Sequence, residues 1–117
     1  MERKIIRKAA TGLSLGIALS AMAIAAPAAD EAAARALARQ SNCFKCHAID
    51  KKKDGPAWKD VAAKYAGKAD GEARLVKHIT SGEKAKFPDG HEEDHTIVKS
   101  KDESEIKNLV DWILSLK

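Results

Sequence analysis

Toward the C-terminus, hydrophobic positions recur at helical spacing. Ile106, Leu109, Val110, Ile113 and Leu116 fall three or four residues apart with polar residues between them, which predicts an amphipathic helix with Trp112 beside its stripe. Its start is placed near Asp102, a good N-cap, and Glu105 three residues on completes a pattern like a capping box. Trp58, Val61, Ala62 and Tyr65 show the same spacing and predict a helix over Trp58–Ala66, ended by Gly67. Leu75, Val76 and Ile79 mark the inward face of another, from about Asp70 to Thr80, stopped by Ser81-Gly82. His78, between these apolar positions, reads as a surface residue. Asp30–Gln40 is rich in alanine, a strong helix former, with Asp30 and Glu31 where negative charge suits an N-terminus. Residues 48–57 read as a loop with a Gly55-Pro56 turn. Residues 83–100 carry little periodicity and hold Pro88, Gly90, His91 and His95, an irregular stretch of the kind that carries function. No strand pattern or internal repeat emerges, so the domain is expected to be all-α.

The first residues follow a different logic. Arg3, Lys4, Arg7 and Lys8 form a positive cluster, and a charge-free segment runs from Ala9 to Ala29 with small residues near its end. This is the pattern of a secretory signal peptide over residues 1–29, cut most plausibly just before Asp30. The strongest apolar run, Leu13 to Ile24, is short for a membrane span, which sets aside a retained anchor. Removing residues 1–29 takes away those four basic groups and Glu2, so the net charge of +4 falls to about +1 and gives no nucleic-acid reading. The expected mature domain, residues 30–117, has 88 residues and few aromatics, a size that usually needs a staple.

The staple is written at Cys43-Phe44-Lys45-Cys46-His47. These residues spell C-x-x-C-H, the attachment sequence of a c-type haem, with two thiols spaced for two thioether bonds and a histidine placed to reach the iron. Cys-x-x-Cys in an exported protein also serves disulfide oxidoreductases, but these carry the motif in a βαβ setting that is missing here. A peroxidase usually needs a second haem, and one C-x-x-C-H attaches only one, so catalysis is not expected.

With these residues placed, the mature chain resembles the short bacterial class I cytochromes c over nearly its whole length. The resemblance rests on the N-terminal helix, Cys43-Phe44-Lys45-Cys46-His47-Ala48-Ile49-Asp50, Gly55-Pro56-Ala57, the helix containing Asp60-Val61-Ala62-Ala63-Lys64-Tyr65, and the C-terminal helix with Trp112. It implies the class I fold, about four helices around one covalent haem c and its iron. It also implies thioethers at Cys43 and Cys46 and a proximal ligand at His47. Pro56 would accept a hydrogen bond from that imidazole, Trp58 would line the pocket, and Trp112 would sit between the terminal helices. The chain departs from the family in one respect. The family takes its sixth ligand from a methionine before the last helix, and the only methionines here are Met1 and Met22.

Two histidines are candidates for that place. Counting back from Trp112 favours His95, while counting forward from Gly82 favours His91; the last helix is the better-defined anchor, so His95 is the expected ligand and His91 the alternative. A second imidazole in place of a thioether implies a lower potential than in His/Met relatives. If neither histidine binds, the open iron would make a gas-binding or sensing haem protein. His91-Glu92-Glu93-Asp94-His95 also spells H-E-x-x-H, a zinc hydrolase signature that needs a helix and a substrate cleft. The resulting expectation is a periplasmic, monomeric, monohaem electron carrier. Its partners would be other redox proteins, such as multihaem cytochromes or a terminal oxidase or reductase, with no nucleic acid and no membrane insertion once mature. Lys51, Lys52 and Lys53, with Lys84 and Lys86, would orient an acidic partner.

Overall fold

The computed structural model describes residues 11–22 and 27–117. The positive cluster at 3–8 and residues 9–10 and 23–26 of the charge-free segment lie outside the described residues. Residues 11–22 are exposed and carry no helix or strand. Among the described residues no helix is long and apolar enough to cross a membrane.

Four α-helices make the domain: α1 (Glu31–Gln40), α2 (Trp58–Tyr65), α3 (Gly71–Thr80) and α4 (Glu103–Leu114), with a 3-10 turn at Cys43–Lys45. Each helix begins or ends within a residue or two of where the apolar spacing puts it. Asp30 caps α1 by accepting the Ala33 N–H, and Asp102 caps α4 by accepting those of Ser104 and Glu105. The reciprocal half of the box is not made. The Asp102 N–H donates to Ser100 Oγ, and the Glu105 carboxylate accepts from that same hydroxyl.

Helix α4 is the hub, packing against α1, α2 and α3. Its stripe of Ile106, Leu109, Val110 and Ile113 is buried, and Trp112 is buried with it. On α1 the facing residues are Ala34, Leu37 and Ala38, two of them small enough to let the helices approach closely. Two contacts lock this pair at its edges. The Asp30 N–H donates to Asn108 Oδ1 at 2.8 Å while Asn108 Nδ2 donates back to the Asp30 carbonyl at 2.9 Å. Arg35 covers the Trp112 ring at 5.0 Å from its centroid. Trp112 thus sits between the terminal helices, as the resemblance implies.

The stretch 83–100 corrects the expectation that it is irregular. It holds a short antiparallel hairpin, β1 (Lys84–Lys86) paired with β2 (Glu92–Asp94). Pro88 and Gly90 occupy favoured positions of a turn closed by the Gly90 N–H on the Phe87 carbonyl, and Gly90 takes the left-handed φ of +93° that lets the second strand return. Across the strands Lys84 pairs with Asp94 at 2.7 Å. The hairpin is built from charge pairs and a turn, with strand residues mostly exposed, so it leaves no alternating hydrophobic trace in the sequence. After it, a strap over residues 95–99 is tied at three points. The His95 N–H donates to the Glu83 carbonyl at 2.9 Å, the Val98 N–H to the Ile79 carbonyl at 2.8 Å, and the Lys99 N–H to the buried Ser41 Oγ at 2.9 Å.

Leu109 is 1% exposed at the centre of the hub. Leu109→Ala is expected to cost about 3 kcal/mol, read as a shift in the chemical unfolding midpoint of the holoprotein; a loss under about 1 kcal/mol would contradict a tightly packed hub.

Candidate functional site

The hub helix and the strap enclose a cavity of about 410 Å³, within the range of cofactor sites. Its wall collects Cys43, Cys46, His47, Pro56 and Trp58 on one side and Leu75, His78, Ile79, Glu83 and His95 on the other, with Leu109, Val110 and Ile113 of α4 behind them. Of the residues that the sequence offered for binding the haem or its iron, only His91 is absent from this wall.

The near side is set by the 3-10 turn after α1. Asn42 adopts a left-handed conformation, φ +59°, which ends the run of α1 and starts the turn carrying both cysteines. Both are free thiols rather than a disulfide. Burial pushes the Cys43 thiol up, the opposite of the lowered thiol a disulfide oxidoreductase uses. His47 follows, and its Nδ1 lies 2.8 Å from the Pro56 carbonyl. A carbonyl oxygen can only accept, so Nδ1 carries the proton and Nε2 keeps its lone pair. Gly55 packs against this ring: a Cβ there would stand 2.4 Å from His47 Cε1, so a larger residue must displace the ring. Trp58 stacks beside His47 at 5.7 Å between centroids and meets the edge of Trp112 at 5.7 Å, joining the site to the contact of α1 with α4.

The far side repeats this arrangement with different parts. His95 Nδ1 lies 2.9 Å from the Thr96 carbonyl, which again fixes the proton on Nδ1 and leaves Nε2 free. The two ring centres stand 6.2 Å apart across the cavity, with planes at 49°. Burial lowers the proton affinity of both rings, against the pull of the carbonyl each one bonds. The neutral imidazole is the form that binds a metal. These residues fit one haem. Two opposed metal–imidazole bonds of about 2 Å each, with half a ring beyond each, separate ring centres by about 6 Å.

His91 lies at the hairpin tip and is exposed. Its Nδ1 is bonded to Asp89 and its Nε2 lies 3.3 Å from Glu93 Oε1, so both nitrogens face carboxylates. The ring also stacks on Phe87 at 4.4 Å. His91 and His95 flank the strand Glu92–Asp94 where the zinc reading needs a helix. Among the described residues no cluster of three or more His, Cys, Asp or Glu side chains is arranged to hold a metal ion.

His78 is what the sequence reading missed. It is half-buried on the cavity wall, its ring centre 4.0 Å from that of His95. The signal was available, because Leu75, His78 and Ile79 share one face of α3 at spacings of three and four.

The family model for cytochrome c matches residues 31–117. The chain is similar to the class 1 cytochrome MtoD from Sideroxydans lithotrophicus ES-1, with 66% identity and a TM-score of 0.73 over 76% of this chain and 98% of that one. The crystal structure of Nitrosomonas europaea cytochrome c552 gives 36% identity and a TM-score of 0.54 over 71% of this chain and 99% of that one. Cytochrome c-551 of Pseudomonas aeruginosa is 38% identical over 81 residues, 69% of this chain and 74% of that protein. The chain therefore belongs to the cytochrome c family, as an electron carrier of the all-α class I fold that holds one covalently attached haem c with its iron.

Proposed function

We propose that this protein is a periplasmic electron carrier whose haem iron is held by two histidines, His47 and His95, with thioethers at Cys43 and Cys46. One observation carries the reading: the two imidazole ring centres stand 6.2 Å apart on the cavity wall, each ring with Nδ1 against a carbonyl, which leaves Nε2 free to bind. Export fits the positive cluster and charge-free segment of residues 1–29, which would be removed to leave 30–117. The residues 30–117 contain no methionine, so a thioether ligand has no source there. His91 is disfavoured by its two carboxylate partners and its place outside the cavity wall.

Each part of the chain then has a physical task. Pro56 and Thr96 hold the two tautomers and make both nitrogens stronger donors. Gly55 and Trp58 pack the proximal ring from two sides. When bound, the haem would supply the one-electron chemistry of its iron. Two nitrogen donors favour the ferric state more than a nitrogen and a thioether, so the potential falls below that of His/Met relatives. Tethering both ligands from behind keeps their geometry the same in the two oxidation states, which keeps reorganisation small. Partners are other redox proteins. Lys51 and Lys52 are exposed beside the proximal loop and suit an acidic surface. Lys53 donates to the Phe44 carbonyl at 2.9 Å and Lys84 is paired with Asp94, so these two contribute less.

Electron paramagnetic resonance of the oxidised protein tests the ligands. Wild type and His91→Ala are expected to be low-spin and His95→Ala to be high-spin. His95→Met is expected to raise the potential and to produce a near-infrared Met–Fe(III) band that wild type lacks. That band in mature wild type, or fast and tight carbon monoxide binding by the reduced form, would sink the bis-histidine reading. Gly55→Ala should displace the proximal ring and cost about 2 kcal/mol in unfolding measurements, and unchanged stability would mean that the ring is not held as described. Lys51→Glu with Lys52→Glu should slow electron transfer to an acidic partner at low salt and converge with wild type at high salt.

A further inference from the structure

His78 is the one imidazole on the cavity wall without a role in the ligand pair. It projects from the last turn of α3, and its ring packs against His95 with centres 4.0 Å apart and planes at 43°. His78 Nδ1 donates to Glu83 Oε1 at 2.8 Å. The same Glu83 accepts the His95 backbone N–H through its carbonyl at 2.9 Å. One residue therefore holds His95 at its backbone and, by way of His78, holds the ring that packs on it.

A single tether leaves the distal ring underdetermined. The torsion that turns a histidine ring about its Cβ–Cγ bond is broad, so a hydrogen bond from Nδ1 to a neighbouring carbonyl selects a tautomer but still allows rocking. The proximal ring has Trp58 and Gly55 against it as well as its carbonyl. On the distal side the corresponding contact comes from His78. As a salt bridge the His78–Glu83 pair is worth little, since both side chains are 38% exposed. Its consequence is geometric.

We propose that His78, anchored by Glu83, is a positioning residue that fixes the ring plane of the distal imidazole. The proposal rests on the reading of His95 as the distal ligand. The angle between the two axial ring planes governs the splitting of the iron d orbitals, so the effect is visible in a spectrum as well as in ligand exchange.

The experiment records electron paramagnetic resonance of oxidised holoprotein at one pH, and the rate at which cyanide replaces the distal ligand. His78→Ala and Glu83→Ala are expected to stay low-spin, to shift the g values, and to admit cyanide about tenfold faster than wild type. Glu83→Gln keeps an oxygen that accepts from His78 Nδ1 and is expected to match wild type in both measurements. Both groups are partly exposed, so these substitutions leave the core intact. Unchanged g values and cyanide rates in the two alanine variants would overturn the proposal while leaving the bis-histidine reading standing. Glu83→Gln behaving like Glu83→Ala would overturn it too, by showing that charge rather than ring position matters. A high-spin His78→Ala protein would make His78 itself the ligand and overturn both readings, as would a high-spin wild type.

Discussion

The site depends on two imidazole rings that line one cavity with their centres 6.2 Å apart, each Nδ1 within hydrogen-bond distance of a backbone carbonyl. That constraint needs two walls kept at a fixed separation, and the helices supply it. The near wall is the turn after α1 with the Gly55-Pro56 loop, and the far wall is the end of α3 with the hairpin and strap. Helix α4 packs on α1, α2 and α3, so it spans both walls and sets the gap between them. The hydrogen bond from the Lys99 N–H to the buried Ser41 Oγ closes the frame, tying the strap to the residue just before the cysteine turn.

Such a frame suits a small domain. A domain of this size has little surface to bury, and one wall of its core is mainly the alanines of α1. A covalent cofactor between the walls would complete the apolar interior and pin both halves of the chain to it. Stability and electron transfer then ask for the same thing: pocket walls that hold their positions around the cofactor. Burial in the cavity also lowers the proton affinity of both imidazoles, which favours the neutral form that binds a metal.

The two sides reach this outcome by different means. The near side is local, with His47, Gly55, Pro56 and Trp58 lying within one loop and the helix start that follows it. The far side is assembled from separate elements: Glu83 before the hairpin, His78 from α3, and His95 from the strap after it. Distal geometry is therefore open to adjustment by changes in the hairpin, whereas the proximal geometry is bound to the attachment motif.

That difference also separates what could be read from the sequence from what could not. The four helices, their caps at Asp30 and Asp102, and the Cys43–His47 attachment turn were legible because helical periodicity, capping chemistry and a short motif are local signals. So was the lack of a methionine after residue 22, a matter of composition. The sequence favoured His95 over His91 only by a count from the last helix, since both sit on one polar stretch and counting from the other end gave a different answer. Folding separates them: a hairpin held by a turn and charge pairs sends His91 out to Asp89 and Glu93 and brings His95 back to the cavity wall. His78 became visible as part of the site for the same reason. Its neighbour His95 is distant in sequence, and only the packing of α3 against the strap sets the two rings side by side.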